Sequence, residues 1–186
     1  MRTFVAIEIP GEIRERIQEL LDALRRAPGD VRWTRPDGLH ITMKFLGEVA
    51  PEKVEVVKAR LHSLAPSAPL PIAVRGAGFF PNERAPRVIW LGIEAGPELE
   101  QLAVRIEECL LPLGFPKEER PFAPHLTLGR ARSTNNLGTL RELLRLREPL
   151  DMGSFVAQDI FLFESQMAAG GSIYRKIARF PLAGTP

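Results

Sequence analysis

The chain has 186 residues, of which 45% are hydrophobic and 26% are charged, a balance typical of a folded globular protein rather than a disordered chain. The formal net charge of only +2 argues against a large nonspecific surface for nucleic acid, although most of the basic residues are arginines, which suit an anionic ligand. The single cysteine, Cys109, excludes a disulfide framework within one chain and favours a reducing compartment. No stretch reaches the roughly 18 apolar residues of a membrane helix, and the first residues lack a signal-peptide cleavage pattern. We therefore expect a cytoplasmic protein without a membrane partner.

The first half of the chain alternates strand and helix patterns. Residues 2–9 are rich in β-branched and aromatic types and stop at a Pro-Gly pair, which predicts a strand. Apolar residues at helical spacing predict a helix over 11–26. Two strand patterns, 31–34 and 38–47, flank the turn sequence RPDG. A second helix, which starts with proline, is predicted over 51–64.

The second half repeats much of this order after a predicted loop over 65–71. Its predicted strands span 71–80, 87–95, 123–131, 154–164 and 172–182, the last two around the turn sequence AAGGS, and its predicted helices span 98–111 and 137–147. The order indicates an α+β fold with a mixed or antiparallel sheet, built from two lobes related by a pseudo-twofold axis.

Two of the predicted strands carry the same four-residue frame of histidine, apolar residue, threonine and apolar residue. The frame occurs in GLHITMKF at 38–45 and in PHLTLGR at 124–130. Because side chains alternate between the faces of a strand, His40 and Thr42 share one face. His125 and Thr127 share a face in the same way. Two such strands can therefore present two pairs of imidazole and hydroxyl to one cleft.

Paired imidazoles suit acid–base chemistry at a phosphorus atom. Histidine titrates near pH 6.5, so a neutral copy can accept a proton from water while a protonated copy donates one to a leaving oxygen. Threonine hydroxyls can donate hydrogen bonds to the non-bridging phosphate oxygens as charge develops there. An internal duplication would explain the repeated apolar positions, but not the repeated histidine and threonine on the other face.

Other chemistries find less support in the sequence. Zinc usually takes three or four protein ligands, and the third histidine, His62, lies on a predicted helix without a companion motif. No nucleophile elbow indicates a serine hydrolase. Strict alternation places Lys44 on the face of His40, where we interpret it as a solvated lysine at the rim, and it assigns Phe45 and Trp90 to the core.

These residues resemble the two-histidine (2H) phosphoesterase superfamily, which is defined by paired His-x-Thr/Ser-x motifs. The chain is most similar to the RNA 2′,3′-cyclic phosphodiesterases, also described as 2′–5′ RNA ligases. The similarity includes the blocks RTFVAIEIP, HITMKFLGEV, FFPNERAPRVIWLGI, FAPHLTLGRAR and LFESQMAAGGSIY. The resemblance implies one domain over 1–186 with two pseudo-symmetric lobes and outer helices, and with both motifs facing a central cleft.

The resemblance also implies an activity and a set of site residues. The reaction would be hydrolysis of a 2′,3′-cyclic phosphate, on RNA 3′ ends or on nucleotides, to a 2′-phosphomonoester without a metal or another cofactor. The reverse reaction would join such an end to a 5′-hydroxyl through a 2′–5′ bond. His40 and Thr42 match the first motif and His125 and Thr127 the second, with His125 as base and His40 as acid.

Substrate binding is predicted for four further residues. Arg130 stands where the family often has an arginine that contacts phosphate, and a bend at Gly129 would turn its side chain into the cleft. Trp33, Phe79 and Tyr174 are candidates for stacking on a nucleobase, although each would serve equally well in a core. The chain is expected to be a monomer. A second interpretation stays open, in which the same fold binds nucleotides or RNA ends without turnover.

Overall fold

The computed structural model describes residues 1–64, 67–169 and 171–183, and it contains four α-helices and nine β-strands within them. The helices are α1 (Gly11–Leu24), α2 (Pro51–His62), α3 (Pro97–Leu110) and α4 (Gly138–Arg145). The strands are β1 (Arg2–Glu8), β2 (Val31–Trp33), β3 (His40–Glu48), β4 (Leu70–Phe80), β5 (Val88–Ala95), β6 (His125–Ala131), β7 (Asp151–Ala157), β8 (Asp159–Ala168) and β9 (Gly171–Pro181). Short 3₁₀ turns occupy Pro36–Gly38 and Leu111–Leu113.

The strands form one nine-stranded sheet in the order β7-β4-β5-β6-β3-β1-β8-β9, with β2 beside β6. Every strand pairing among the described residues is antiparallel. The strands β1, β3, β8 and β9 make one lobe, and β4 to β7 with β2 make the other. The two lobes meet where β3 pairs with β6. The predicted α+β class with two lobes is confirmed, and the sheet is antiparallel.

One face of this sheet is covered by the helices and forms the core. Each helix contributes buried residues to a single apolar cluster, for example Ile17 from α1 and Ile106 from α3. Alternate strand residues such as Ile41, Leu91 and Leu126 join the same cluster and are fully buried. Burial of each such side chain stabilises the fold by about 1.5–3 kcal/mol. Because the helices all belong to this face, the opposite face of the sheet is left open for a cleft.

The prediction of a single strand over 154–164 is wrong, because parts of two strands, β7 and β8, occupy this region. β7 pairs with β4 in one lobe, while β8 pairs with β1 in the other. The break falls at Gln158, whose carbonyl accepts a hydrogen bond from the Leu182 amide at 2.8 Å. No glycine or proline marks this point, so the local pattern contains no signal for a change of lobe.

Two predicted connections lie partly outside the described residues. The loop predicted over 65–71 includes residues 65 and 66, and the AAGGS turn includes residue 170. Within the residues that the structure describes, no helix combines the length and the apolar character needed to cross a membrane.

Candidate active site

The two His-x-Thr segments lie side by side on neighbouring strands. Ile41 of β3 pairs with Leu126 of β6, and the strands are antiparallel. One step along the ladder in either direction sets His40 opposite Thr127 and Thr42 opposite His125. All four side chains line one cleft of about 360 Å³. The two motifs are therefore related by a pseudo-twofold axis that passes through the Ile41–Leu126 pair.

Both imidazole rings are held by the same backbone contact. Nδ1 of His40 lies 2.7 Å from the carbonyl oxygen of Gly38, and Nδ1 of His125 lies 2.8 Å from that of Ala123. Because a carbonyl oxygen only accepts, Nδ1 carries the proton in each contact. The neutral ring then keeps Nε2 as a proton acceptor. Each motif thus orients its histidine through the carbonyl two residues earlier.

Aromatic rings enclose His40. The ring centroids of Phe4 and Tyr174 lie 4.6 Å and 5.0 Å from the His40 centroid, and Phe163 lies at 6.2 Å. Burial lowers the pKa of His40 to about 4. The hydrogen bond to Gly38 raises this pKa in part, and the charge of the neighbouring His125 lowers it further. His40 is therefore neutral in the unliganded cleft at neutral pH, and the two imidazoles are close enough to interact electrostatically.

An aromatic ring of the second lobe contacts His125. The Phe80 ring lies edge-on to it at 5.0 Å between centroids and also contacts Trp90 at 5.1 Å. Phe79 is partly buried on the opposite face of β4, packed against the core. Phe79, a predicted stacking residue, is thus not among the described residues that line the cleft, and its neighbour Phe80 is the aromatic contact of His125 that the sequence analysis missed.

A bulge in β3 reverses the alternation just after the first motif. In the ladder with β1, Ala6 pairs with Thr42 and Val5 with Lys44, so Met43 is an extra residue. Lys44 consequently points to the core side and is 2% exposed, whereas Phe45 lines the cleft and is 54% exposed. Both interpretations from strict alternation, a solvated Lys44 and a buried Phe45, are wrong.

The prediction that Trp90 lies in the core is also wrong. This residue alternates with the buried Ile89 and Leu91 and so lies on the face opposite the core, where it is partly exposed. Its indole ring covers Gly78, at which an added Cβ would lie 2.2 Å from the ring. Glycine at 78 is therefore required for this close approach.

A second bulge brings Arg130 into the cleft. In the ladder with β5, Thr127 pairs with Trp90 and Gly129 with Ile89, so Leu128 is the extra residue. Strict alternation from His125 would place Arg130 on the core side, but after the bulge its side chain is exposed and lines the cleft. The bend that the sequence analysis attributed to Gly129 therefore occurs one residue earlier.

Trp33 and Tyr174 both line the cleft as well. Trp33 pairs with Gly129, at which an added Cβ would lie 2.9 Å from the indole ring. Tyr174 stands edge-on to His40 and closely approaches Gly38, where an added Cβ would lie 3.0 Å from the tyrosine ring. Of the four predicted substrate contacts, the structure thus brings Arg130, Trp33 and Tyr174 to the histidines and leaves Phe79 outside.

The buried lysine behind the cleft ties the two motifs together. Lys44 Nζ donates to Glu107 Oε1 at 3.0 Å and to the Pro116 carbonyl at 2.7 Å. Glu107 also accepts a hydrogen bond from the Glu118 amide at 2.8 Å. Burial raises the pKa of Glu107, but the Glu118 and Lys44 hydrogen bonds outweigh it and the net shift is downward. The motif strand β3 is thereby anchored to the segment that leads into His125.

The chain matches the model of a known family twice. The family is described as LigT like phosphoesterase, and the matches cover residues 7–90 and 91–174. Neither match corresponds to one lobe of the sheet, because residues 7–90 include β4 of the second lobe and residues 91–174 include β8 of the first. The matched halves contain one His-x-Thr motif each.

Named proteins with similar sequences or structures cover the whole chain. An RNA 2′,3′-cyclic phosphodiesterase of Methanothermobacter thermautotrophicus is 32% identical over 98% of this chain and 99% of that protein. A crystal structure of a Thermus thermophilus protein superposes with a TM-score of 0.81 and 29% identity, over 99% of both chains. The structure of E. coli LigT complexed with NADP+ superposes with a TM-score of 0.76 and 29% identity, over 98% of both chains.

Proposed function

Because the chain belongs to the LigT-like phosphoesterase family, we propose that it hydrolyses 2′,3′-cyclic phosphates, on RNA 3′ ends or on nucleotides, to 2′-phosphomonoesters. The observation that carries the proposal is the register of β3 and β6, which sets each motif histidine opposite the threonine of the other motif in one cleft. The relative from Methanothermobacter thermautotrophicus bears the name of this activity. The complex of E. coli LigT with NADP+ shows that a protein of this fold binds a nucleotide.

The two histidines would share the proton transfers of one displacement. His125 accepts a proton from water at Nε2 while the water oxygen bonds to phosphorus. The bond between phosphorus and O3′ breaks, and His40 donates a proton to O3′, which leaves the phosphate on O2′. Each proton transfer contributes about 10²–10⁴ in rate. After the reaction the proton held by His125 returns to solvent and His40 takes up another.

The role of acid requires His40 to be protonated when the substrate is bound. In the unliganded cleft its pKa is lowered to about 4, chiefly by burial. An anionic phosphate beside the ring favours the protonated form by charge attraction. Once protonated in this apolar surrounding, the imidazolium gives up its proton readily, because burial disfavours its charge. The more open His125 is left to take the proton from water.

Thr42 and Thr127 would bind the non-bridging oxygens of the phosphate. Their hydroxyls lie on the same cleft face as the histidines and can donate hydrogen bonds as negative charge builds on those oxygens. Arg130 adds a guanidinium at the same face. Trp33, Tyr174 and the exposed Phe45 provide aromatic surface for a nucleobase.

The proposed step needs no metal, since the histidines carry both protons and the threonines bind the charged phosphate oxygens. The same groups would also serve transfer to another acceptor. A 5′-hydroxyl that replaces water would attack the phosphorus in the same way and give a 2′–5′ bond. The alternative function is a binding module of the same fold that holds nucleotides or RNA ends without turnover.

The test is incubation with 2′,3′-cyclic AMP followed by chromatography that separates 2′-AMP from 3′-AMP. We expect 2′-AMP as the product, at the same rate with and without EDTA. The matched control is the double variant His40→Ala/His125→Ala, which should leave the substrate intact. Formation of 3′-AMP would contradict the assigned leaving group, and tight binding without any monophosphate would favour the binding module.

A further inference from the structure

Two arginines stand opposite each other at one end of the cleft. Arg32 of β2 and Arg130 of β6 are direct partners across the antiparallel pair, and both line the cleft. Directly opposed residues have Cβ atoms about 4.5–5.5 Å apart, and like charges at such positions destabilise a sheet. An arrangement that carries this cost in the empty protein becomes favourable when an anion lies between the two guanidinium groups.

The protein itself supplies little negative charge at this place. The described residues that line the cleft include four arginines, Arg2, Arg32, Arg35 and Arg130, and no aspartate or glutamate. Within the described part of the chain, neither Arg32 nor Arg130 forms an ion pair. Arg132, two residues farther along the chain from Arg130, is by contrast paired with Asp30 at 3.6 Å. Arg132 thus has a carboxylate of the protein as its partner, whereas Arg32 and Arg130 face a part of the cleft that an anionic ligand can fill.

The position of Arg32 is further defined by the other lobe. Gly171, at the start of β9, has φ +138°, and a Cβ there would lie 3.5 Å from Nη2 of Arg32. The guanidinium of Arg32 therefore extends across to the β8–β9 end of the cleft. The backbone of Gly171 thus lies within van der Waals reach of this guanidinium.

The opposed pair is displaced from the histidines along the strand. After the bulge at Leu128, Arg130 lies two ladder steps beyond Thr127 in the pairing with β5, which corresponds to roughly 7 Å at the usual strand rise. A phosphate held between the two arginines is thus a neighbour of the reacting phosphate. On a ribose whose O2′ and O3′ are joined in the cyclic phosphate, only O5′ is left to carry another phosphate.

We propose that Arg32, together with Arg130, binds the phosphate on O5′ of the terminal ribose, so that the enzyme prefers substrates that carry this second phosphate. The proposal rests on the proposed function for the place of the reacting phosphate. The second phosphate is the preceding phosphodiester of an RNA strand or the 5′-phosphate of a mononucleotide. The free 2′,3′-cyclic nucleoside phosphate lacks it and leaves the arginine pair without its ligand.

The kinetic test compares three substrates of increasing length. They are adenosine 2′,3′-cyclic phosphate, its 5′-phosphorylated form, and the dinucleotide ApA with a 2′,3′-cyclic phosphate end. We expect the value of kcat/KM to be about tenfold higher or more for both of the latter, as one charge-assisted contact provides. Arg32→Gln should reduce this preference to near unity, whereas the control Arg132→Gln, outside the cleft, should retain it.

Two kinetic outcomes would overturn the proposal. One is a wild-type enzyme without the preference, or an unchanged preference in Arg32→Gln. The other is a gain for the dinucleotide alone, because a contact to the preceding nucleoside, and not to a phosphate, would then be responsible.

A binding measurement separates this inference from the proposed function. Calorimetric titration with adenosine 2′,5′-bisphosphate and with adenosine 2′-monophosphate requires no turnover. We expect the wild type and Arg132→Gln to bind the bisphosphate about tenfold more tightly than the monophosphate. Arg32→Gln should bind the two ligands with nearly equal affinity. If no substrate is hydrolysed, the proposed function fails while this comparison still decides the role of Arg32. Equal affinity of the two ligands for the wild type would reject that role.

Discussion

Ile41 pairs with Leu126 across the boundary between the two lobes, and this pair brings the two His-x-Thr motifs into one site. Both side chains are fully buried on the core face. The residues on either side of each therefore face the cleft, histidine on one side and threonine on the other. The antiparallel direction exchanges their order, so each histidine is presented together with the threonine of the other lobe.

Removal of either imidazole should strongly reduce turnover without unfolding the protein. His40→Ala and His125→Ala each delete one proton transfer, and we expect each to lower kcat by about 10²–10⁴. The measurement is steady-state hydrolysis of 2′,3′-cyclic AMP, with circular dichroism and thermal melting to establish the fold. Near wild-type turnover in a folded variant would contradict the assignment of that residue.

The variants that lack the acid or the base should respond differently to a better leaving group. In a cyclic substrate whose O3′ is replaced by sulfur, the thiolate leaves without protonation because its pKa is much lower than that of an alcohol. We expect this substrate to restore much of the activity of His40→Ala and little of that of His125→Ala. Restoration in His125→Ala instead would reverse the two roles.

Stability should depend on pH through His40. Its pKa is lowered from 6.5 to about 4 in the folded protein. Between these values the unfolded chain binds a proton that the folded protein does not, so the free energy of unfolding falls as the pH decreases. Taken in full, these two pKa values correspond to a loss of about 1.8 kcal/mol between about pH 7 and about pH 5, and the partial exposure of the ring reduces the expected loss to about 1 kcal/mol.

The measurement is urea unfolding of the wild type and of His40→Gln at both pH values. The variant retains the other titrating groups but lacks this imidazole, so its stability should fall less. Equal losses in the two proteins would show that His40 has an ordinary pKa.

The Lys44–Glu107 pair should behave as a coupled unit. The Lys44 side chain is 1% exposed and that of Glu107 is 17% exposed. Lys44→Met leaves the carboxylate without its cation and Glu107→Gln leaves a buried ammonium, so each should cost about 3 kcal/mol or more. In Lys44→Met/Glu107→Gln, a glutamine can still accept the Glu118 amide hydrogen bond.

We therefore expect the double variant to be more stable than the sum of the single effects implies. A double-mutant cycle by urea unfolding measures the difference, and additive effects would exclude the coupling.

The chain should unfold as one domain over 1–186, even though the two lobes share only a short strand pairing. A single apolar cluster contains residues of both lobes, such as Val5 of β1 and Leu91 of β5. Separation of the lobes would expose this cluster to water, so we expect one cooperative transition. Scanning calorimetry should give equal calorimetric and van't Hoff enthalpies, and two resolved transitions would indicate two domains.

The local pattern of the sequence was sufficient for much of the fold and for the centre of the site. Alternation over three residues decides that His40 and Thr42 share a face, and the same is true of His125 and Thr127. Helical spacing predicted the buried face of α1, including Ile17. Periodicity works here because each such relation depends only on the geometry of a few consecutive residues.

The tertiary structure decided everything that depends on which strand lies next to which. A bulge forms where the register of two partner strands has to shift, and nothing in the local pattern fixes its position. The bulges at Met43 and Leu128 therefore bury Lys44, expose Phe45 and turn Arg130 into the cleft against strict alternation.

The same reason applies to contacts between distant segments. The run over 154–164 divides between the two lobes because its halves find different partner strands. Arg32 faces Arg130 only because β2 pairs with β6. The sequence by itself determined which residues each strand presents to the cleft at the motifs. The pairing of strands far apart in the chain determined which residues meet there, since hydrogen bonds between strands are not encoded in any local pattern.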